Sequence, residues 1–380
     1  MKLVQVCWSR ITRAWETPLP ETPCTATQLV IVFASPALAR EDGPLRELRR
    51  AFPRACFLGC STAGEICGKT VRDETLVATA LHLTHASCVG TSIEIHAAEE
   101  SFRAGQTLAQ SFRADGLKHV LVLSDGLKVN GSELVKGLAL YLPATVAITG
   151  GLAGDGAAFG ETRVLWNDTW KSGRIAAVGF YGDRLHIGHG TLAGWDPFGI
   201  DRQITRSHGN ILYELDGQSA LALYKKYLGE HAAGLPATGL LFPLELRTSE
   251  GQRGLIRTIL AVNEQDQSMT FAGDIPQGAY ARFMKANFDR LIDGAAGAAK
   301  ATRKSAALQA PDLAILISCI GRKMALGQRI EEEVEAVGDV LGPDALLTGF
   351  YSYGEICPFA PTGRCELHNQ TMTITTFRED

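Results

Sequence analysis

The segment Ala55-Cys56-Phe57-Leu58-Gly59-Cys60-Ser61-Thr62-Ala63-Gly64-Glu65-Ile66 runs from an apolar stretch straight into a glycine-bounded turn. The apolar part reads as a buried strand, and glycine at its end lets the backbone turn sharply. Working backwards, Leu29-Val30-Ile31-Val32-Phe33 is another apolar run. Between the two runs, Pro44 to Ala51 has helical spacing, with Leu45 and Leu48 on one side. The plan is strand, helix, strand, glycine loop. It returns from Val120–Leu123 through Ser132–Leu142 to Thr145–Ile148, ending in Gly150-Gly151-Leu152-Ala153-Gly154-Asp155-Gly156. It returns again from Leu313–Ile317 through the acidic helix Arg329–Val340 to Leu346-Leu347, ending in Gly349-Phe350-Tyr351-Ser352-Tyr353-Gly354-Glu355-Ile356.

Apolar strands joined through helices pair in parallel, with the helices packed on the sheet. The stretches 75–83, 163–166 and 175–181 alternate and read as antiparallel strands. The expected fold is therefore α/β, with mixed sheets built from repeated strand-helix-strand units and two related halves. Residues 1–28, rich in Thr and Pro over 9–28, read as a lead-in. A boundary near Asp216-Gly217 divides the rest into 29–217 and 218–380, and Gln218 to Leu228 reads as an amphipathic helix.

The chain has 380 residues, 46% apolar and 21% charged, which suits a soluble globular protein. The net charge of −4 and the scattered Lys and Arg give no footprint for nucleic acid or an anionic membrane. No apolar run reaches the ~20 residues of a membrane span, and Lys2 to Trp8 is too short for a signal-peptide core, so the expected location is cytoplasmic. The nine cysteines form no C-x-x-C pair, which argues against a zinc ribbon and for reduced, mostly buried thiols.

Two motifs imitate enzyme signatures. Ala63 to Thr70 fits a loosened phosphate loop around Lys69, but strand-like residues follow where a helix is needed. Gly59 to Ala63 nearly fits a nucleophile elbow and fails for the same reason. The three glycine loops instead read as the rim of a ligand pocket, with Gly59, Ser61, Gly64, Glu65, Gly150, Gly151, Asp155, Tyr353, Gly354 and Glu355 as its candidates. His189 stands between Gly188 and Gly190, a frame that leaves room for a flat ligand against the imidazole, with Trp195 as a wall. Imidazole is a common axial ligand of haem iron. Arg206 could pair with a propionate beside His208, and His368 lies near the last strand. The plainer alternatives are a half-exposed strand histidine at 189 and a turn residue at 208. The run Glu331-Glu332-Glu333-Val334-Glu335 reads as the solvated face of a helix.

Taken together and in order, Gly59 to Ile66, Ser124-Asp125-Gly126-Leu127, Thr149 to Asp155, Gly349 to Pro358 and Leu367-His368-Asn369-Gln370-Thr371 resemble the FIST (F-box and intracellular signal transduction) family, N-terminal and C-terminal domains both. The resemblance implies an intracellular sensory protein, not an enzyme, that binds a small molecule or gas and signals through a histidine kinase or a cyclic-di-nucleotide enzyme. Pairing with a second copy of the chain is left open. Gly188 to Gly199 and Thr205 to Gly217 look like the haem-binding, nitric-oxide-sensing (NosP) subgroup. That likeness implies haem b, with His189 as the candidate iron ligand. A haem-free sensor of a metabolite such as an amino acid is the alternative, and a nucleotide hydrolase using Lys69 is a further one.

Overall fold

All three strand-helix-strand units are present in the computed structural model, which describes residues 1–247, 254–306, 310–359 and 363–380. In the first, Leu29–Ala34 and Cys56–Ser61 pair in parallel around the helix Gly43–Ala51. In the second, Leu117–Ser124 and Ala147–Leu152 flank Gly131–Tyr141. In the third, Leu313–Cys319 and Leu346–Ser352 flank Ile320–Leu326 and Ile330–Leu341. The expected mixed α/β class is what the chain adopts, and the relation among its parts is three-fold.

The repetition reaches single residues. Gly59, Gly150 and Gly349 occupy one equivalent place, where the second strand of each unit runs close against the first. A Cβ there would overlap the carbonyl oxygen of Val32, Val122 or Leu316 respectively. Beside each first strand lies an antiparallel return strand: Thr75–His82, Arg174–Tyr181 and Met372–Glu379. Each of these reads as alternating or polar along the chain, yet each is buried almost throughout, because helices or sheets cover both faces.

The other flank of each pair is closed by a neighbour. The hairpin Glu65–Cys67/Thr70–Arg72 leaves the first unit and pairs with Leu346–Ser352 of the third. The hairpin Val164–Trp166/Thr169–Lys171 leaves the second and joins Cys56–Ser61 of the first. The hairpin Gly354–Pro358/Cys365–His368 leaves the third and joins Ala147–Leu152 of the second. At the crossing points one hydrogen bond recurs: Ala63 N–H to Tyr351 O (2.8 Å), Gly154 N–H to Ser61 O (2.9 Å) and Tyr353 N–H to Leu152 O (3.2 Å). The glycine loops are therefore clasps between units.

The inner faces meet in one apolar core containing Phe33, Leu123, Phe180, Ile317 and Phe377, with Phe33 stacked on Phe350 at 4.8 Å. Burying each such ring stabilises the fold by about 1.5–3 kcal/mol. Outer strands complete the sheets. One of them, Lys2–Ser9, pairs along its whole length with Thr75–His82. Within the expected lead-in over 1–28, residues 2–9 are sheet, because Val6 is buried in the outer core and Trp8 packs against it.

Between the strand Leu185–Leu192 and the helix Phe288–Ala306 the chain builds a fourth, antiparallel sheet. It contains Asp196–His208, Ile211–Leu215, Leu244–Arg247, Leu255–Arg257 and Tyr280–Lys285, over its own core of Tyr224, Phe271 and Phe283. Residues 217–218 fall within this sheet, where Ile211–Leu215 pairs with Gln218–Ser219. The expected amphipathic helix spans Ala220–Leu228. Among the described residues no helix is long and apolar enough to cross a membrane.

Candidate functional site

Two clefts flank the edge strand Leu185–Leu192, and Thr191 and Phe359 line both. The strand's alternation sets their character. Gly190 turns toward the helix Phe288–Ala306, where a Cβ would overlap the carbonyl oxygen of Ala298. His189 turns the other way, opposite Thr375 in the sheet. Gly190 thus serves close helix packing rather than room for a ligand, and the space beside His189 comes from elsewhere.

That space is the larger cleft, about 1060 Å³. Its wall is mostly apolar: Leu140, Leu142, Pro143, Val146 and Ile148 from the second unit, with Pro358, Phe359 and Cys365 opposite. Lys136, Lys304 and Arg364 add cations to the lining. Lys136 already bridges Glu133 (2.6 Å) and Asp274 (2.8 Å). Burial holds the His189 imidazole below its ordinary pKa, so it is neutral at pH 7 and keeps a lone pair. Its backbone is clamped to the long helix: His189 N–H donates to Ser305 Oγ (2.8 Å), which also lies 3.0 Å from the His189 carbonyl. Behind it, Thr375 Oγ1 donates to Thr149 Oγ1 (2.7 Å), which meets His119 Nε2 at 2.8 Å. Burial first, and the nearby His189 second, push His119 down to about 3.

The smaller cleft, about 460 Å³, lies between the fourth sheet and the core. Trp195, His368, Met284 and Ile256 give it apolar surface, and Glu245, Arg290 and Asp293 give it charge of both signs. Trp195 Nε1 donates to Gln370 O (2.9 Å), which fixes the indole. His368 Nε2 donates to Cys357 O (3.0 Å), and burial, only partly opposed by that bond, brings its pKa to about 4.

The fold brings His189, Trp195 and His368 to these clefts and leaves the other two candidates outside. His208 is exposed near a hairpin tip, and Arg206 is exposed and paired with Glu214 (2.9 Å), its guanidinium 4.5 Å from the Tyr213 ring centre. Neither lines either cleft, because the strand Asp196–His208 carries them into the fourth sheet.

None of the ten loop residues lines these two clefts. Their polar groups face inward. Glu65 accepts from Thr62 Oγ1 on one oxygen and from Thr75 N (3.1 Å) and Oγ1 (2.7 Å) on the other. Glu355 sits in an equivalent cage: Ser352 Oγ (2.6 Å) on one oxygen, Thr371 N (3.2 Å) and Oγ1 (2.9 Å) on the other. Burial dominates both, raising Glu65 to about 7 and Glu355 to about 8. Asp155 caps its own loop by accepting from Gly160 and Glu161 (2.8 Å each) and takes the Tyr353 hydroxyl. Ser61 accepts from Arg163 N–H (2.9 Å). Lys69 pairs with Asp339 (2.7 Å), and strand Thr70–Arg72 follows it.

Sequence reading missed most of the lining, since Leu142, Lys304, Phe359 and Arg290 come from separate segments with no shared motif. It also missed that Glu333, within the acidic run, is fully buried. Glu333 takes two bonds from Arg322 (3.0 and 2.7 Å) and one each from Ser318 and Tyr351 (3.0 and 2.8 Å). No spacing signals this, since Ser318 ends a strand and Arg322 lies on the helix that follows it.

The family models settle the lineage. The FIST N domain matches residues 28–218 and the FIST C domain residues 220–358. The chain belongs to the FIST family. FIST domains are sensory and bind small-molecule ligands in signalling proteins. No curated protein matches this FIST chain in sequence. Among solved structures it is similar to a chorismatase, with 11% identity and a TM-score of 0.35, over 99% of this chain and 98% of that one. It is similar also to a cyanuric acid hydrolase from A. caulinodans, with 9% identity and a TM-score of 0.39, over the same shares of each chain.

Proposed function

We propose that this FIST protein is a haem-based nitric-oxide sensor of the NosP kind, a binding protein rather than a catalyst. A histidine kinase or a cyclic-di-nucleotide enzyme would be its partner. The observation that carries the reading is a neutral imidazole, His189, at the wall of a largely apolar cleft of about 1060 Å³. Small-molecule sites run to roughly 1,000 Å³ and are mostly apolar with a few placed polar groups. The residues present suit haem: an imidazole for the iron, an aliphatic and aromatic wall for the macrocycle, and Lys304 and Arg364 for the propionates. Bound haem supplies the iron that takes the gas.

The chain's own part is to hold and to report. His189 offers its lone pair without first losing a proton. Ser305 ties the His189 backbone to the helix Phe288–Ala306. Gly294 and Gly297 of that helix pack on Ala193 and Leu192, beside the smaller cleft. A change in the hold on His189 is thereby felt along one rigid element. The shift it causes is limited by the ligand's differential affinity for the two shapes.

Titration of the purified chain with haem tests the reading. One haem per chain with a Soret band, altered in His189→Ala, is the expected result. Failure to take up stoichiometric haem would falsify it. A second reading rests on the smaller cleft, lined by Trp195, by Asp293 and by Arg290, which also pairs with Asp196, groups of both signs that suit a zwitterionic metabolite. In the same titration, haem-free protein stabilised by an amino acid, with no haem uptake, would favour that reading.

A further inference from the structure

Cys7 and Cys67 lie far apart in the chain and on different sheets. Cys7 belongs to the strand Lys2–Ser9, opposite Val77. Cys67 ends the strand that crosses from the first unit to the third, opposite Thr348. Gln5, two residues before Cys7 and so on the same face of its strand, bridges the gap. Its amide donates to Leu347 O (2.9 Å), and its Oε1 accepts from Cys67 Sγ (3.4 Å). At the same level Thr79 Oγ1 meets Thr348 Oγ1 at 3.0 Å, so the two sheets are in direct contact here. Cys7 shares the Gln5 face of its strand, and the two thiols act on each other's titration, Cys7 on the donor side and Cys67 on the acceptor side. The Arg72 guanidinium acts on both through its charge and is paired with Glu16, whose own N–H donates to Cys7 O (2.8 Å). Cys67 is half-buried and reachable, whereas Cys7 is buried at 2% exposure.

We propose that Cys67 and Cys7 form a peroxide-responsive redox pair that staples the first strand of the chain to the exchanged hairpin. Cys67 is the attacking sulfur and Cys7 the resolving one. The Cys67 thiolate attacks one oxygen of hydrogen peroxide. The O–O bond breaks, the distal oxygen leaves as water after taking a proton, and Cys67 becomes a sulfenic acid. The Cys7 sulfur then attacks the Cys67 sulfur, the S–O bond breaks, and the Cys7 proton leaves with the hydroxyl as a second water. Two thiols are oxidised by two electrons to one disulfide, and one peroxide is reduced to two waters. The charge pattern assigns the roles. The bond from Cys7 lowers Cys67, with Arg72 assisting and burial opposing, while that bond and burial hold Cys7 protonated. The pair is independent of the haem reading, since neither cysteine lines either cleft.

Mass spectrometry of the full chain after stepwise peroxide tests the assignment. The expected product is a Cys7–Cys67 cross-linked peptide, reversed by dithiothreitol. Cys7→Ser is expected to accumulate a Cys67 sulfenic acid that dimedone traps, and Cys67→Ser to lose the fast step. In the unmodified chain at pH 7, iodoacetamide should label Cys67 several-fold faster than the half-buried Cys24, a readout that needs no variant. Labelling of Cys67 no faster than Cys24, or a peroxide product linking other cysteines, would overturn the pair.

Discussion

At the scale of single residues, Glu65 and Glu355 show how the repeat handles buried charge. Each carboxyl is enclosed by hydroxyls and one backbone N–H from its own unit, and burial outweighs these donors. The third unit-equivalent place holds Val164, opposite Cys60 just as Glu65 is opposite Phe350. One of three clasps is therefore apolar. With a folded pKa near 8 against 4.5, the folded chain keeps a proton at Glu355 that the unfolded chain has released. Stability from this group is full below about 4.5 and is lost as pH rises toward 8. For Glu65 the window closes near 7. Asp73 adds to the rise at Glu65, and Arg322 opposes it at Glu355. Urea midpoints of wild type and Glu65→Gln/Glu355→Gln, measured from pH 5 to 8, should converge at the acid end. Toward pH 8 the variant should gain on wild type, because an amide fills the same cages without a proton to lose. A difference between them that is constant with pH would show that both carboxyls are ionised throughout. The paired Glu residues could be read from two similar loops, but their burial could not. Polar loop composition looks like a rim until the neighbouring unit is seen to cover it.

At the scale of elements, the strand Leu185–Leu192 and the helix Phe288–Ala306 are separated by about a hundred residues, yet they pack backbone to backbone. Gly190 faces Ala298, Gly294 faces the carbonyl of Ala193, and Gly297 faces Leu192. Backbone cannot rotate aside as a side chain can, so Gly190→Val must push the helix away. Overpacking of this kind costs about 1–3 kcal/mol. Thermal denaturation should show that loss. Haem uptake should fall as well, because Ser305 would no longer meet His189. A variant of unchanged stability would mean that this contact is loose. The element content was legible for a physical reason: uninterrupted apolar runs such as Leu313–Ile317 can only be buried strands when turn residues bound them closely. The fourth sheet was less legible. Its strands are half-exposed and mixed in character, as in Asp196–His208, so neither a two-residue nor a helical period stands out. The glycine-frame argument for His189 does not describe the fold. Its neighbour Gly190 pointed to space but packs on a helix, and the cleft arises from residues such as Val146 and Phe359 that carry no motif.

At the scale of the whole molecule, the exchange of hairpins binds the three units into one cooperative body. The sheet of the second unit needs Gly354–Pro358 as its neighbour, and that strand lies some two hundred residues further along the chain. The sheet of the third unit needs Glu65–Cys67, which is made first. Cutting the chain at the junction of the two family domains therefore removes structure from both sides. Residues 1–217 alone would leave Ala147–Leu152 with an open edge, uncover the core face of Phe33 that Phe350 stacks on, and strand Asp196–His208 without Tyr280–Lys285. Exposed strand edges next to apolar surface favour aggregation over folding. Expressed alone, 1–217 should be insoluble or lack a cooperative unfolding transition, whereas the full chain should unfold in one step by circular dichroism and by tryptophan fluorescence together. Co-expression of 1–217 with 218–380 should restore a soluble complex, since the clasps Ala63 to Tyr351 and Tyr353 to Leu152 need proximity rather than covalent continuity. A fragment 1–217 that folds cooperatively on its own would show that the exchanged strands are ornaments on a self-sufficient domain, and coupling between the two clefts would then need a route other than the shared sheets.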